Sequence, residues 1–279
     1  MNNSGAAFSF LHGAFDITVV SDGYLTLPAD IIMPEVEEAA RLSILAEMGG
    51  GHASAPLATN VPVIRTGEEL VLIDVGSGRQ FQDTCGALPE NMRRNGIDPI
   101  DVTAVLFTHA HPDHMGGILD DRGNLVFPNA EYFLSREEWE FWEDDCRLPD
   151  PLKVFGQGAR SNFRAIAGRL NLIEPGQRLL DGMEVLSTPG HTPGHVSFSL
   201  DGQGELFITG DALTNPIISF QHPDWRFGFD TDHEAASHTR QQLLDRLAST
   251  RAQVLGYHWK RPGLGSVERD GAAFRLWYE

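Results

Sequence analysis

Apolar positions along the chain switch between a period of two and a helical period, and the switches mark out the elements. Residues 15–20 and 24–27 are β-rich runs, and Ser21-Asp22-Gly23 between them has turn composition, so a hairpin is expected. Helical spacing over residues 35–48 stops at Gly49-Gly50-Gly51. Residues 61–65 and 70–75 read as two strands across Thr66-Gly67-Glu68; the second ends in Asp74 and a Gly76-Ser77-Gly78 turn, and a helix over about 80–95 follows. Residues 102–108 are a continuous apolar run, the signature of a strand covered on both faces in the middle of a sheet. Then come a Gly-rich turn, a short strand near Tyr132, a helix opening at Ser135 with Glu137 and Glu138 in its first turn, and a helix over 152–170. Strands are expected at 184–187, 195–200 and 205–209, then a helix over 232–248 and a last strand at 253–257. Strands in pairs, then alternating with helices, then the same again, predict an α/β fold. Its form is two mixed β-sheets packed together with helices outside, in one domain over residues 1–279.

Length and composition narrow the class. A chain of 279 residues, 41% hydrophobic, can build a full core. It has no apolar run near the roughly 20 residues of a membrane helix, and residues 1–10 lack a basic segment followed by an apolar one, so a soluble, cytoplasmic protein is expected. Lys and Arg number 21 against 39 Asp and Glu, a net charge of -18 that repels polyanions, which disfavours nucleic acid as substrate and serves solubility. Cys85 and Cys146 are too few and too far apart for a disulfide framework or a thiolate metal cage.

The chemistry concentrates where the buried strand ends. Thr108-His109-Ala110-His111-Pro112-Asp113-His114 packs four ligand-type side chains into six positions. His109 and His111, two apart on an extended segment, project to one side, as two ligands of one ion must. Pro112 suits the first turn of a helix, which would swing Asp113 and His114 to a second point nearby. The spacing suits two ions about 3.5 to 4 Å apart. A lone His-x-His would pass as an accident of a polar loop, but the added Asp-His makes that hard to sustain.

Three later segments end strands at the same edge, each with one ligand type. Thr188-Pro189-Gly190-His191-Thr192-Pro193-Gly194 is a rigid loop presenting His191; Gly210-Asp211 follows a strand and could place a carboxylate between two ions; Gly256-Tyr257-His258 ends the strand from Gln253. Singly these read as a turn histidine, a capping aspartate and a surface histidine; jointly they complete two coordination spheres. Gly116 and Gly117 would let the helix start lie close to the site. His195 is read as a hydrogen-bonded structural histidine, and His12, His52, His222, His233 and His238 as surface residues.

On these motifs the chain resembles the metallo-β-lactamase superfamily over about residues 61–258. The resemblance implies an αββα four-layer sandwich with two metals at one edge of the paired sheets. It implies that His109, His111 and His191 hold one ion, that Asp113, His114 and His258 hold the other, and that Asp211 bridges them. Asp74, in Val71-Leu72-Ile73-Asp74-Val75-Gly76, matches the supporting aspartate behind the histidine loop. The layout is most similar to the branch of N-acyl-homoserine lactonases and methyl parathion hydrolase. One position departs from the lactonases: the tyrosine that assists ring opening, three residues after the bridging aspartate, is here Thr214.

Nitrogen and carboxylate ligands without a thiolate suit two Zn²⁺ best, with manganese, iron or cobalt also compatible. The expected reaction is hydrolysis of a small ester, lactone or phosphotriester by a metal-bridging hydroxide, with Asp211 and Asp113 as the carboxylates closest to the chemistry. The alternatives are a mono-iron persulfide dioxygenase, which uses fewer ligands, and a glyoxalase II-like thioester hydrolase, which would carry a helical domain where only about 20 residues follow His258. Residues 215–229 carry Phe220, Trp225, Phe227 and Phe229. These either line an apolar substrate pocket, with Met33, Trp139 and Trp142, or pack the loop down or against a second copy in a homodimer. The expected partner is a small-molecule substrate, with no nucleic acid and no membrane.

Overall fold

The structure, a computed structural model, describes residues 7–79 and 81–279. Expectations placed on residues 1–6, and on Gln80 as a helix start, lie outside them. Strands β1 (Phe8–His12), β2 (Phe15–Pro28), β3 (Ser54–Thr66), β4 (Glu69–Ile73), β5 (Ala104–Leu106), β6 (Glu131–Ser135) and β7 (Leu170–Ile173) form one sheet in chain order. A second sheet, also in chain order, holds β8 (Arg178–Leu180), β9 (Met183–Ser187), β10 (Val196–Gly202), β11 (Gly204–Ile208), β12 (Gln253–Leu255), β13 (Leu264–Asp270) and β14 (Ala273–Tyr278). Both are mixed. Neighbours from β1 to β4 run antiparallel and from β4 to β7 parallel, and in the second sheet only β11 and β12 are parallel.

Alternation along β5 accounts for its unbroken apolar sequence. Ala104 and Leu106 face the space between the sheets, among Val71, Ile73, Phe198 and Ile208. Val105 points the other way, into a core shared with Trp142, Phe163 and Ile166 of the outer helices. A strand with apolar partners on both faces has no polar face to show in its sequence. On the far side of the second sheet, Phe207 and Val254 pack under Leu243, Leu244 and Leu247 of the helix His233–Thr250. Helix, sheet, sheet and helix are therefore stacked as four layers, the αββα fold expected from the sequence. Among the described residues no helix is long and apolar enough to cross a membrane.

Several local expectations are corrected. The hairpin at residues 15–27 is one strand, Phe15–Pro28, with a bulge between Ser21 and Gly23. Asp22 does not serve a turn: it is buried, and its carboxylate accepts the N–H groups of Ser77 (2.9 Å), Gly86 (3.1 Å) and Leu88 (2.9 Å). The helix expected over 80–95 is confined to Leu88–Arg94, because Asp22 caps the Leu88 N–H and Pro89 sits in the first turn. The helix expected to 170 ends at Ile166, and the chain pairs with β6 as β7 instead. His12 is buried rather than at the surface, its Nε2 3.1 Å from the Leu200 carbonyl and its ring against Gly202. Strands β1, β7, β8, β13 and β14 had no counterpart in the expectations. The last two meet at Asp270-Gly271, with Gly271 at φ +65°, a dipeptide that signals a hairpin by its chemistry alone.

Candidate metal centre

The structure brings the seven ligand-type side chains together at one edge of the paired sheets. All are buried. His109 follows the end of β5, where Asp74 takes a left-handed conformation (φ 63°) and turns its carboxylate back under the histidine loop. Asp74 accepts the Thr108 N–H and Thr108 hydroxyl, each at 2.8 Å, and meets His114 Nδ1 at 2.8 Å. Pro112 opens the short helix Pro112–Met115, which carries Asp113 and His114 onto the neighbouring face. The glycines after it are needed for contact with the chain beyond Asp74, since a Cβ on Gly117 would lie 2.0 Å from the Val75 carbonyl oxygen.

Two groups of atoms converge. His111 Nδ1 lies 2.9 Å from both His109 Nε2 and His191 Nε2. Asp113 Oδ2 lies 3.1 Å from His258 Nε2 and 3.4 Å from His114 Nε2. Asp211 stands between them, with Oδ2 3.3 Å from His191 Nε2 and Oδ1 3.3 Å from His258 Nε2 and 3.4 Å from His114 Nε2. Triads of such atoms, His109, His111 and His191, and Asp113, His114 and His258, are close enough to share an ion each.

The residues fit cations. His114 Nε2 and Asp211 Oδ1 are buried without a hydrogen-bond partner, although each faces other ligand atoms. Three imidazole nitrogens crowd one point where a single proton could satisfy at most one contact. Burial, reinforced by the neighbouring imidazoles, holds His109 well below the usual histidine range and His111 at about 3, which keeps both rings in the neutral, metal-binding form. At the other triad burial is outweighed. The Asp113 and Asp211 carboxylates hold His114 well above its ordinary range, and those of Asp211 and Asp113 hold His258 up at about 10. The same imidazoles keep Asp113 and Asp211 ionised against burial, well below the usual carboxylate range. Without cations this group holds protons, so it is built to take up positive charge.

The ligand-type rings other than that of His111, whose outer Nε2 is buried without a partner, are oriented from behind. His191 Nδ1 meets Asp230 Oδ1 at 3.0 Å, His258 Nδ1 meets the Ala58 carbonyl at 2.8 Å, and His109 Nδ1 meets Thr108 Oγ1 at 3.0 Å. Glu138, fully buried, accepts the Ala110 N–H (2.9 Å), the Trp142 indole N–H (2.6 Å) and the Thr192 hydroxyl (2.6 Å), and so ties the His109-His111 loop to the His191 loop. Tyr257 stacks on His114 at 4.0 Å and donates its hydroxyl to the Asp113 carbonyl at 2.7 Å. Sequence reasoning missed Glu138 and Asp230 in these roles; each looks like an ordinary surface acid in its segment.

The six aromatic and apolar pocket candidates divide. Phe229 walls a small cavity of about 30 Å³ directly over the metal centre, together with Leu25, Leu27, Phe81, Phe155 and Phe227. Trp142 stands behind His111, ring centroids 5.4 Å apart, and does not border the cavity. Phe220 is buried against Trp259, Trp225 is stacked on His222 at 3.7 Å, Met33 is fully buried, and Trp139 packs on the outer core. None of these four borders the cavity: Phe220, Trp225, Met33 and Trp139 pack in the apolar clusters beside it, while Phe227 and Phe229 of the same loop reach over the ligand-type residues. His258 also borders a cleft of about 1050 Å³ lined by Tyr24, Ile217, His222, Lys260 and Arg275.

Comparison with known proteins agrees with this geometry. The chain is 29% identical over 129 residues to an N-acyl homoserine lactonase of Bacillus sp, covering 43% of this chain and 42% of that protein. It is 31% identical over 136 residues to metallo-beta-lactamase domain-containing protein 1 of Xenopus laevis, covering 46% of this chain and 47% of that protein. The chain thus spans less than half of either relative. Among solved structures, AidC, a dizinc quorum-quenching lactonase, superposes with a TM-score of 0.91 at 28% identity, over 98% of this chain and 97% of its own. The hydrolase AbOPH superposes at 0.88 and 24% identity, over 98% and 97%, which shows a shared fold. The profile of the metallo-beta-lactamase superfamily matches residues 55–255, most of the chain and every one of the ligand positions but His258, and the chain belongs to that superfamily.

Proposed function

We propose that the chain is a hydrolase that uses two divalent cations, zinc before manganese, iron or cobalt, to open a small ester, with lactones favoured over phosphotriesters. The observation that carries this reading is the position of Asp211, one oxygen on each side of two three-residue ligand groups. Cations held there would lower the pKa of water and polarise the oxygen of the bond to be cleaved. The likeness to AidC over nearly the whole chain favours a lactone.

The chain's own residues have distinct tasks. His109, His111 and His191 would present neutral nitrogens; Asp113, His114 and His258 would supply a site with one carboxylate. Asp211 is held ionised by its imidazole neighbours and would orient a water and accept its proton. Phe81, Phe155, Phe227 and Phe229 keep bulk water away from these atoms. Thr214 cannot assist a leaving alkoxide as a phenol would; it is buried and donates to the Asp211 carbonyl at 3.0 Å, which braces the bridging residue. A cavity of about 30 Å³ holds no more than a water, so a substrate must extend into the 1050 Å³ cleft past His258.

The test combines metal analysis with a panel of lactones, aryl esters, thioesters and phosphotriesters. About two metal ions per chain, hydrolysis of lactones, and loss of both metal and activity in His109→Ala and Asp113→Ala are expected. One iron per chain with oxygen consumption would establish the dioxygenase chemistry instead.

A further inference from the structure

Phe227 and Phe229, two walls of the cavity over the metal centre, share a short stretch of chain with Asp230, which contacts the far nitrogen of His191. The other oxygen of Asp230 accepts from Arg240 Nη2 at 3.1 Å and from the Phe227 N–H at 3.4 Å. Arg240 comes from the helix His233–Thr250 and is only 2% exposed. Its Nη1 donates to the carbonyls of Pro223 (3.0 Å) and Trp225 (2.8 Å). One guanidinium therefore binds three points of the segment 223–230, and that segment ends on the ligand. Backbone bonds close the joint, from the Thr231 N–H to the His191 carbonyl and from the Asp232 N–H to the Gly190 carbonyl, both at 3.0 Å.

A buried ion pair is a poor way to gain stability, since apolar side chains of the same size often serve as well or better. Arg240 shares its helix with buried Ala236, Leu243, Leu244 and Leu247, so an apolar residue would suit its surroundings. What an aliphatic side chain could not do is hold two carbonyls and a carboxylate in fixed directions. The carboxylate lies 3.0 Å from Nδ1 of His191, where it can accept a hydrogen bond from that nitrogen and direct Nε2 at the other ligand-type atoms.

We propose that Arg240 and Asp230 form a latch that fixes the aromatic wall of the pocket to the ligand His191, so that cation affinity and substrate fit are set by the same two residues. Both are positioning residues, since neither touches the cavity. The proposal rests on the reading of His191 as a metal ligand. Through the latch, an ion at His191 would order the segment 223–230, and a loosened segment would weaken the ion.

The test uses the full chain with Arg240→Met, Arg240→Lys, Asp230→Asn and, for comparison, Phe229→Ala. Zinc affinity is measured by competition with a chelator, and hydrogen exchange of residues 223–230 is followed with and without zinc. Asp230→Asn and Arg240→Met are expected to weaken zinc roughly 10- to 100-fold and to abolish the zinc-dependent protection of that segment. Arg240→Lys, which keeps the charge and loses the fork, should fall between, and Phe229→Ala should leave zinc affinity alone. With a hydrolysed substrate, the latch variants should raise KM and lower kcat together. Folded Arg240→Lys and Asp230→Asn with wild-type zinc affinity and protection overturn the latch, and they decide the matter if Arg240→Met does not fold. Zinc coupling without hydrolysis of any substrate would support the latch and remove the hydrolase reading; a wild-type chain that binds no zinc would remove both.

Discussion

The ring of His195 accepts the backbone N–H of Asp211 at 3.1 Å through Nε2, while its Nδ1 lies 2.9 Å from Thr188 Oγ1. Both nitrogens are therefore engaged, and the ring has none to offer a cation. Burial and the neighbouring imidazole of His191 keep it well below the usual histidine range, so it stays neutral and Nε2 remains an acceptor. The residue next to Asp211, Gly210, sits at φ +49°, with a would-be Cβ 2.9 Å from that same nitrogen. His195 thus fixes where the main chain of Asp211 runs.

His195→Ala should accordingly behave as a misplacement of Asp211 and not as loss of a ligand. The freed N–H is buried, which costs about 1–3 kcal/mol of stability. Metal content is expected to stay near the wild-type value while kcat falls by roughly 10- to 100-fold. Elemental analysis beside kinetics separates the cases, for a variant short of one whole ion would make His195 a ligand after all.

Asp74 offers a test of the histidine loop's support. Its fully buried carboxylate takes two bonds from Thr108 and one contact with His114. Asp74→Ala strips partners from buried donors and is expected to destabilise the chain by about 3–5 kcal/mol. Asp74→Asn keeps one acceptor and tolerates the left-handed backbone, so its loss should be clearly smaller. Urea unfolding of both variants decides; equal losses would mean that the charge of the carboxylate beside His114, which both variants remove, is what the position provides.

The sequence carries the metal centre more clearly than the fold around it. Four ligand-type side chains within His109 to His114 have no packing explanation, and each later one follows a strand that its own apolar residues announce. The supports were hidden because their partners are distant in sequence. Asp22 reads as a turn residue until Ser77, Gly86 and Leu88 bring their N–H groups to it, and Glu138 reads as a helix-start acid until Ala110 and Thr192 meet it. The strands β7 and β8 are short and half exposed, so little apolar alternation marks them. The aromatic loop misled for a different reason: its composition states that rings must be buried somewhere, and only the fold states that Phe220 meets Trp259 while Phe229 meets the cavity.

Asp22 predicts a pH dependence of stability. Burial outweighs its three N–H donors and raises its pKa from 3.8 to about 6. The folded chain therefore binds this proton more tightly than the unfolded chain does. The resulting stabilisation is full below pH of about 4 and is lost as pH rises through about 6, a difference of roughly 3 kcal/mol at most. Asp22→Asn cannot titrate there. Measured on metal-free protein, the stability of the wild type minus that of Asp22→Asn should fall between pH 4 and pH 7. A difference that is flat, or that grows with pH, would show that the backbone donors win over burial.

Phe220 and Phe229 stand nine residues apart on the same loop and should fail in opposite ways. Phe220 is 1% exposed and packs edge-on to Trp259 at 5.2 Å, among Leu243, Leu244 and Leu247. Truncating a fully buried phenylalanine costs about 3–5 kcal/mol, so Phe220→Ala should lower stability by that order and leave KM nearly unchanged in the protein that remains folded. Phe229 is half-buried, with its ring 6.1 Å from that of His111 and 6.2 Å from that of Phe155. Phe229→Ala should cost little stability and raise KM for apolar substrates, because the atoms removed border the cavity and not the core. Thermal unfolding and steady-state kinetics on the two variants, side by side, give a crossed pattern if the loop divides between core and pocket as described. Parallel losses in both measurements would mean that the loop moves as one unit and that its rings have no separate tasks.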